Sequence, residues 1–320
     1  MTDGACPVGL TAPAARSGPL PDNRTVHLIN ADLHSHSTVS DGTLSPDVLA
    51  GRAHAQGVQL WSLTDHDSID GLARGREAAL DLGLAFLTGA EVSVTFAGET
   101  VHVIGLGFDA DDADLAAGLA ATRGGRLQRA REMAEGLARA GIPGALDGAL
   151  AYVEQPEAVT RTHFARFLVE RGICADAHEV FRRFLVEGKP GHVPHRWAKL
   201  GDAVRWITGA GGLAVVAHPA RCHFSPTLEY ALFSEFATHG GRGVEVVVSA
   251  HSETERRHYG GIAREFGLFA SRGSDFHDPA ESRVDLGDLP DLPGTLTPVW
   301  EALAPRIQGR RPEAIARCLT

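Results

Sequence analysis

The chain has 320 residues, 43% hydrophobic and 22% charged, the make-up of a soluble globular protein large enough for a barrel carrying an insertion. Its formal net charge of −10 excludes a broad electrostatic footprint on duplex nucleic acid, but not a local basic pocket for a short polyanion. Sixteen histidines against four scattered cysteines (Cys6, Cys174, Cys222, Cys318) point away from a disulfide scaffold or thiolate site and towards nitrogen and oxygen metal ligands.

Residues 1–24 are rich in Ala, Pro and Gly and read as a mobile tail. They lack a basic start and a long apolar core, so no secretory signal is expected. No run is long enough to span a membrane, and the expected location is the cytoplasm. The apolar run Val26–Leu33 predicts a strand ending in His34-Ser35-His36, with Asp41 five residues further on. Residues i and i+2 of a strand face the same side, and two imidazoles there can grip one cation with help from a carboxylate. A helix is predicted from Ser45 as N-cap and Pro46 at the first position to about Gly57. A second strand, Leu60–Leu63, ends in Thr64-Asp65-His66-Asp67, and a helix follows over 69–82. The third strand, Leu84–Thr88, leads to Glu91, and the fourth, Val101–Phe108, carries His102 inside it.

From Ala113 to about Gly188 the pattern turns mostly helical. After it come a helix near Gly201–Gly209, a strand Leu213–Ala217 ending at His218, and a strand Val244–Val248 before His251. A helix Thr254–Phe266, a strand Leu268–Ala270 and Ser274-Asp275-Phe276-His277 complete the informative part. Strand–helix alternation predicts a mainly parallel sheet, and polar residues gathered just beyond strand ends are the arrangement of a (β/α) barrel. The barrel is expected to comprise 25–108 and 191–306, interrupted by a helical insertion over 109–190 that caps the substrate.

Nine groups, His34, His36, Asp41, His66, Glu91, His102, His218, Asp275 and His277, exceed what one tetrahedral ion can hold. They suit two or three divalent ions bridged by carboxylates, with Zn, Mn and Fe all compatible. Closely spaced ions can bind phosphoryl oxygens and turn water into hydroxide, which is the chemistry of phosphoester hydrolysis. Any one of these histidines alone would read as a hydrogen-bonded structural residue. Asp65 and Asp67 read equally as partners orienting ligands or as helix-capping acids. His54, His178, His239 and His258 are expected at the surface, while His192, His195, His223 and His251 stay open.

Arg123, Arg126, Arg129 and Arg131 cluster near the first long helix of the insertion. On a helical wheel Arg126 and Arg129 share a side with Leu119, Met133 and Leu137, so they want an anion or a buried carboxylate, unless Gly124-Gly125 breaks the helix. Thr160, Arg161 and His163 lead a second helix, where a phosphate could sit and where Thr160 could equally be a plain N-cap.

Taken together, His34-Ser-His36, Asp41, Thr64-Asp-His66-Asp, Glu91, His102, Ala217-His218-Pro and Ser274-Asp275-Phe-His277 resemble the PHP (polymerase and histidinol phosphatase) family, in that family's order, over about residues 27–290. The helical insertion, Thr160-Arg-Thr-His-Phe164 and Gly-Ser-Asp-Phe-His bring it nearest to bacterial 3′,5′-nucleoside bisphosphate phosphatases and the related 5′-to-3′ exoribonuclease. The resemblance implies an α/β fold, a distorted (β/α)7 barrel, with a trinuclear manganese-type site. One ion would use His34, His36, Glu91 and Asp275, a second Asp41, His66 and His277, and a third Glu91, His102 and His218. Arg221 joins the expected substrate contacts, and Cys222 stands where an aromatic is common.

The expected activity is metal-hydroxide attack on the 3′-phosphate of nucleoside 3′,5′-bisphosphates or on the 5′ end of short RNA. The ions would hold the reacting phosphate, and the insertion's arginines a second one. A histidinol-phosphate-type phosphatase is a second enzyme reading, and a non-catalytic metal-binding module of a polymerase is the reading from another class. Neither duplex DNA nor a membrane is an expected partner. Oligomeric state is not legible.

Overall fold

The computed structural model describes residues 29–316. The expected tail at 1–24, the beginning of the first predicted strand at 26–28, Cys6 and Cys318 lie outside the described residues. Cys174 and Cys222 are free thiols.

The barrel begins with β1 (Ala31–Asp32), α1 (Pro46–Ala55), β2 (Leu60–Leu63) and α2 (Leu72–Asp81). Pro46 opens α1, where its missing N–H costs nothing; the Ser45 hydroxyl bonds to Asp47 rather than capping the backbone. Next comes β3 (Ala85–Phe96), a strand of 12 residues, far longer than the expected Leu84–Thr88. It turns at Ala97-Gly98, both with positive φ as a two-residue hairpin requires, and returns as β4 (Glu99–Leu106). The helical stretch comprises α3 (Ala113–Arg123), α4 (Arg126–Arg139), α5 (Ala145–Leu150), α6 (Arg161–Glu170) and α7 (Ala177–Val180). The chain then re-enters the barrel through β5 (Ala198–Lys199), which was not expected, and α8 (Leu200–Gly209). It continues as β6 (Leu213–Val216), α9 (Pro226–Thr238), β7 (Gly243–Val248), α10 (Glu253–Phe266) and β8 (Phe269–Gly273).

Among the described residues seven strands follow one path, β1-β2-β3-β4-β6-β7-β8, and β5 pairs with β3 off that path. Across the last gap Leu33 N–H donates to Arg272 O (3.0 Å) and His36 N–H to Phe276 O (2.9 Å), so the sheet nearly closes into a barrel. That approach needs a glycine: a Cβ on Gly273 would stand 2.4 Å from Cβ of His34. The α/β barrel is therefore present and its sheet is mainly parallel, as expected, with one exception: β4 runs antiparallel to both β3 and β6. A two-residue hairpin can only reverse the chain, so Glu91 and His102 face the site from opposing strands rather than from loops beyond strand ends.

Trp61, Phe86, Phe233, Phe236 and Trp300 are fully buried in the main core, to which α3 contributes Leu115 and Leu119. A second, separate core within the helical stretch includes Ala130, Met133, Leu137, Phe164, Leu168 and Leu185. Gly124 and Gly125 do break the helix, which voids the wheel argument across α3 and α4. Within α4 the buried face is Arg126, Ala130, Met133 and Leu137, so Arg126 is on it and Arg129 is not. Among the described residues, no helix is long and apolar enough to cross a membrane.

Candidate metal centre and the cavity above it

The strands β1, β2 and β6 are short, and each leads into a turn that carries ligand-type side chains. His34 and His36 follow β1, His66 follows β2, His218 follows β6, and Asp275 and His277 follow β8. Glu91 rises from the middle of β3, in a bridge with His66, and His102 opposes Ser93 across the hairpin. All nine predicted groups meet in one place.

Glu91 is the centre of it. One of its oxygens, Oε2, lies 3.3 Å from His34 Nε2, 3.3 Å from His36 Nε2 and 3.0 Å from His66 Nδ1. The other, Oε1, lies 2.9 Å from both His102 Nδ1 and His218 Nε2. Asp275 Oδ1 stands 3.4 Å from the Nε2 atoms of His34 and His36. Asp41 Oδ1 is 3.4 Å from His277 Nε2 and 3.8 Å from His66 Nε2. The donor atoms form overlapping sets: His36, Asp41, His66 and His277; His34, His36 and Glu91; His34, His218 and Asp275; and His66, Glu91 and His102. They do not separate into three independent cups, because His34, His36, His66 and Glu91 each belong to two sets.

These residues fit divalent cations. Asp41 Oδ1, His66 Nδ1, Glu91 Oε2 and His102 Nδ1 are buried and make no hydrogen bond, although His66 Nδ1 and Glu91 Oε2 are only 3.0 Å apart. Lone pairs crowded together without hydrogen bonds between them are what ligand atoms aimed at a shared ion would show. Burial opposes ionisation of Glu91, but His102, His66 and His34 hold its carboxyl well below the usual range. Asp41 is likewise held low by His66 and His277, and Asp275 by Arg221 and His34, in each case against burial. Burial pushes His66 well down and lowers His218, whereas His36, in spite of burial, is raised to about 10 by Asp275 and Glu91.

The backbone is bent to aim the ligands. Asp67, His218 and Asp275 have φ values of 50°, 26° and 55°, a region non-glycine residues seldom enter and one that collects at functional sites. The two acids beside His66 are orienting partners, and neither caps a helix. Asp65 accepts from Ser37 N–H (2.8 Å), Ser37 Oγ (2.7 Å) and Ser40 Oγ (2.6 Å), fixing the turn between His36 and Asp41. Asp67 accepts from Ser93 N–H at 2.7 Å and pairs with the Arg126 guanidinium. His277 Nδ1–H donates to Asp275 O at 2.9 Å, leaving Nε2 free to face Asp41.

Above the ligands opens a cavity of about 840 Å³, walled by the barrel rim on one side and by α6, α7 and Trp197 on the other. The expected substrate contacts divide here. Arg221 lines it, half-exposed, with Nη2 2.6 Å from Asp275 Oδ2. Thr160 and Arg161 line it too, and Thr160 is also the N-cap of α6. No carboxylate among the described residues pairs with Arg161, whose guanidinium lies 5.5 Å from the centre of the Phe181 ring. Arg126 borders the cavity but is already neutralised by Asp67, so its partner is a buried carboxylate.

Two expected contacts are not cavity residues. Arg129 donates to Val193 O at 3.2 Å and lies over Trp197, which ties the returning chain to α4. His163 is fully buried, its Nδ1 accepting the Thr160 N–H at 2.9 Å in a capping box. A histidine three residues after an N-cap threonine is placed to satisfy the cap, and that need takes it inside. Of the remaining histidines, His178 was expected at the surface and lies exposed on the cavity rim. His195 packs edge-on against Trp197, while buried His251 donates to Val246 O and accepts from Ala220 N–H.

Two residues of the site were missed by sequence reasoning. Trp197 lines the cavity wall and takes Arg126 at 4.7 Å over its ring. Glu245 is fully buried in β7, within hydrogen-bond distance of His34. An acid amid a run of valines is the signal that could have found it.

The PHP domain family matches residues 32–160. A 3′,5′-nucleoside bisphosphate phosphatase from Chromobacterium violaceum is 48% identical over 280 residues, covering 88% of this chain and 98% of that protein. The chain belongs to the PHP family. This PHP protein is also 40% identical over 279 residues to the 5′-3′ exoribonuclease Rnm of Escherichia coli, covering 87% of the chain and 94% of the relative. A solved structure from Chromobacterium violaceum, described as an amidohydrolase with bound sulfate and no metal, superposes with a TM-score of 0.85 at 48% identity, covering 88% of this chain and 98% of that one. The protein is thus a PHP-type, metal-dependent phosphoester hydrolase.

Proposed function

We propose that the chain hydrolyses the 3′-phosphate of nucleoside 3′,5′-bisphosphates and removes nucleotides from the 5′ end of short RNA. The observation that carries this reading is Glu91, one buried carboxylate within 3.3 Å of five imidazoles at the bottom of a cavity bordered by arginines. Its relatives are named as a 3′,5′-nucleoside bisphosphate phosphatase and a 5′-3′ exoribonuclease, and this pocket offers positive charge in two places, at Arg221 and at Arg161.

On this reading the centre holds up to three divalent ions, Mn in preference, with Zn or Fe also compatible with the donors. His34, His36, Glu91 and Asp275 would hold one, Asp41, His66 and His277 a second, and Glu91, His102 and His218 a third. Bound ions supply positive charge to the phosphoryl oxygens and lower the pKa of water. The chain's own residues do the rest. Arg221 presents its guanidinium to the reacting phosphate from beside Asp275, and Arg161 on the opposite wall holds the second phosphate. Arg126 and Trp197 shape that wall without competing for the anion, because Asp67 already satisfies Arg126. Hydrolysis breaks the bond between phosphorus and the ribose oxygen, and the water that attacks supplies the new P–O bond and the proton of the alcohol.

The protein with Mn is assayed against adenosine 3′,5′-bisphosphate, a 5′-phosphorylated oligoribonucleotide and histidinol phosphate. Inorganic phosphate from the first and mononucleotides from the second are expected. Turnover of histidinol phosphate alone would sink the nucleotide reading and leave the hydrolase standing.

A further inference from the structure

Glu245 belongs to no ligand set, yet it is fully buried beside the metal centre. Its Oε1 lies 3.0 Å from His34 Nδ1, and its Oε2 accepts the backbone N–H of His218 at 2.7 Å. A carboxylate oxygen facing a ring nitrogen accepts, so a neutral His34 makes that bond with its proton on Nδ1. The lone pair of His34 is then on Nε2, the atom that faces His36, Glu91 and Asp275. The second bond holds a residue whose backbone is strained, His218 at φ 26° and ψ 55°, in the turn that points its ring at Glu91. The pairing of β7 with β8 shifts register between Glu245 and Val247, and such an irregularity re-aims a side chain. A buried carboxylate without a charged mission here would be costly, and both of its oxygens are spent on ligand-bearing residues.

We propose that Glu245 is a positioning residue for the metal centre, fixing the tautomer of His34 and the turn that carries His218. It rests on the reading of this pocket as a divalent-cation site. A carboxylate that accepts from the far nitrogen of a ligand imidazole commonly sets metal affinity by 10- to 100-fold. Glu245→Gln keeps the shape but brings an amide N–H against either His34 Nδ1–H or the His218 N–H, so one of the two bonds is lost. Glu245→Asp keeps the charge and is one methylene short of spanning both partners.

The test is Mn²⁺ binding to the metal-stripped full chain by titration calorimetry, together with ¹⁵N spectra of histidine-labelled protein. The parent is expected to show Nδ1-protonated histidine signals, those of His251 and His277 among them, and one further such set that disappears in His34→Ala. In Glu245→Gln that signal moves towards the Nε2–H form, and affinity for the tightest Mn²⁺ falls about 10- to 100-fold. Parental affinity and an unmoved His34 signal in the Gln variant would overturn the proposal. Should the Gln variant fail to fold, Glu245→Asp decides: weakened Mn²⁺ binding with native circular dichroism supports the proposal, and parental binding overturns it. The spectra and titrations are independent of substrate, so a failed assay on bisphosphates leaves them interpretable. A parent that binds no Mn²⁺ overturns the cation reading itself and this inference with it.

Discussion

Thr160 Oγ1 donates a hydrogen bond to Asp41 Oδ2 at 3.1 Å, joining the N-cap of α6 in the helical insertion to a carboxylate of the candidate metal centre. The same hydroxyl accepts from Thr162 N–H at 3.1 Å as the helix cap. One side chain therefore registers the insertion against the barrel. Removing it disturbs both, and Thr160→Val is expected to lower stability by about 1 kcal/mol through the lost cap. It should also weaken Mn²⁺ binding, because Asp41 loses a donor that orients it. Thr160→Ser keeps the hydroxyl and should restore both. Urea unfolding and metal titration check this, and a Val variant equal to the parent in both would refute the dual role.

Arg161 and Arg126 should respond differently to truncation. Arg161 has no acidic partner among the described residues, so Arg161→Ala should raise KM for adenosine 3′,5′-bisphosphate about tenfold, roughly 1.4 kcal/mol, and leave p-nitrophenyl phosphate nearly untouched. Arg126→Ala strands the buried Asp67 carboxylate, and losing one partner of a buried pair costs about 3–5 kcal/mol. Its effect should appear as a lower unfolding midpoint and reduced activity on both substrates alike. Equal loss on both substrates in the Arg161 variant would count against a second phosphate site there.

Burial pulls the pKa of His163 down from 6.5 to about 4. Above pH 6.5 the ring is neutral in folded and unfolded chains alike, and its contribution is fully present. Below that, the unfolded chain takes up a proton that the folded interior refuses until about pH 4, so stability is lost as the pH falls through this window. The loss is on the order of 3 kcal/mol. Urea midpoints measured from pH 7 to pH 4 should fall more steeply for the parent than for His163→Gln, which can still accept the Thr160 N–H.

Metal removal should leave a folded but inactive protein. The barrel core is apolar and separate from the ligands, so a chelator is expected to abolish phosphoesterase activity while preserving the far-ultraviolet spectrum. Returning Mn²⁺ at about 100 times its dissociation constant should add roughly 2.7 kcal/mol of stability per ion. A melting temperature indifferent to Mn²⁺ would contradict binding to the native pocket.

The sequence by itself determined the inventory of candidate ligands and the strand–helix order. Histidines, aspartates and a glutamate following apolar runs are legible because a strand's end is where side chains leave the core, and the reading of Leu60–Leu63 matches β2 residue for residue. It also determined that α1 starts at Pro46, since an N-terminal proline is a local preference. Tertiary structure alone decided the rest. The length of β3 and the reversal at Ala97-Gly98 were hidden because Gly89 and Ala90 interrupt the apolar pattern of a strand that the neighbouring strands sustain. Whether Arg126 meets an anion or Asp67, and whether His163 faces the cavity or the core, depended on contacts 59 residues away in one case and on the docking of α6 in the other. Glu245 acquires its role only where His34, 211 positions earlier in the chain, closes the barrel against it. Local propensity acts over a few residues, whereas partners for buried charge are chosen by how the finished layers pack, and that choice is made in space.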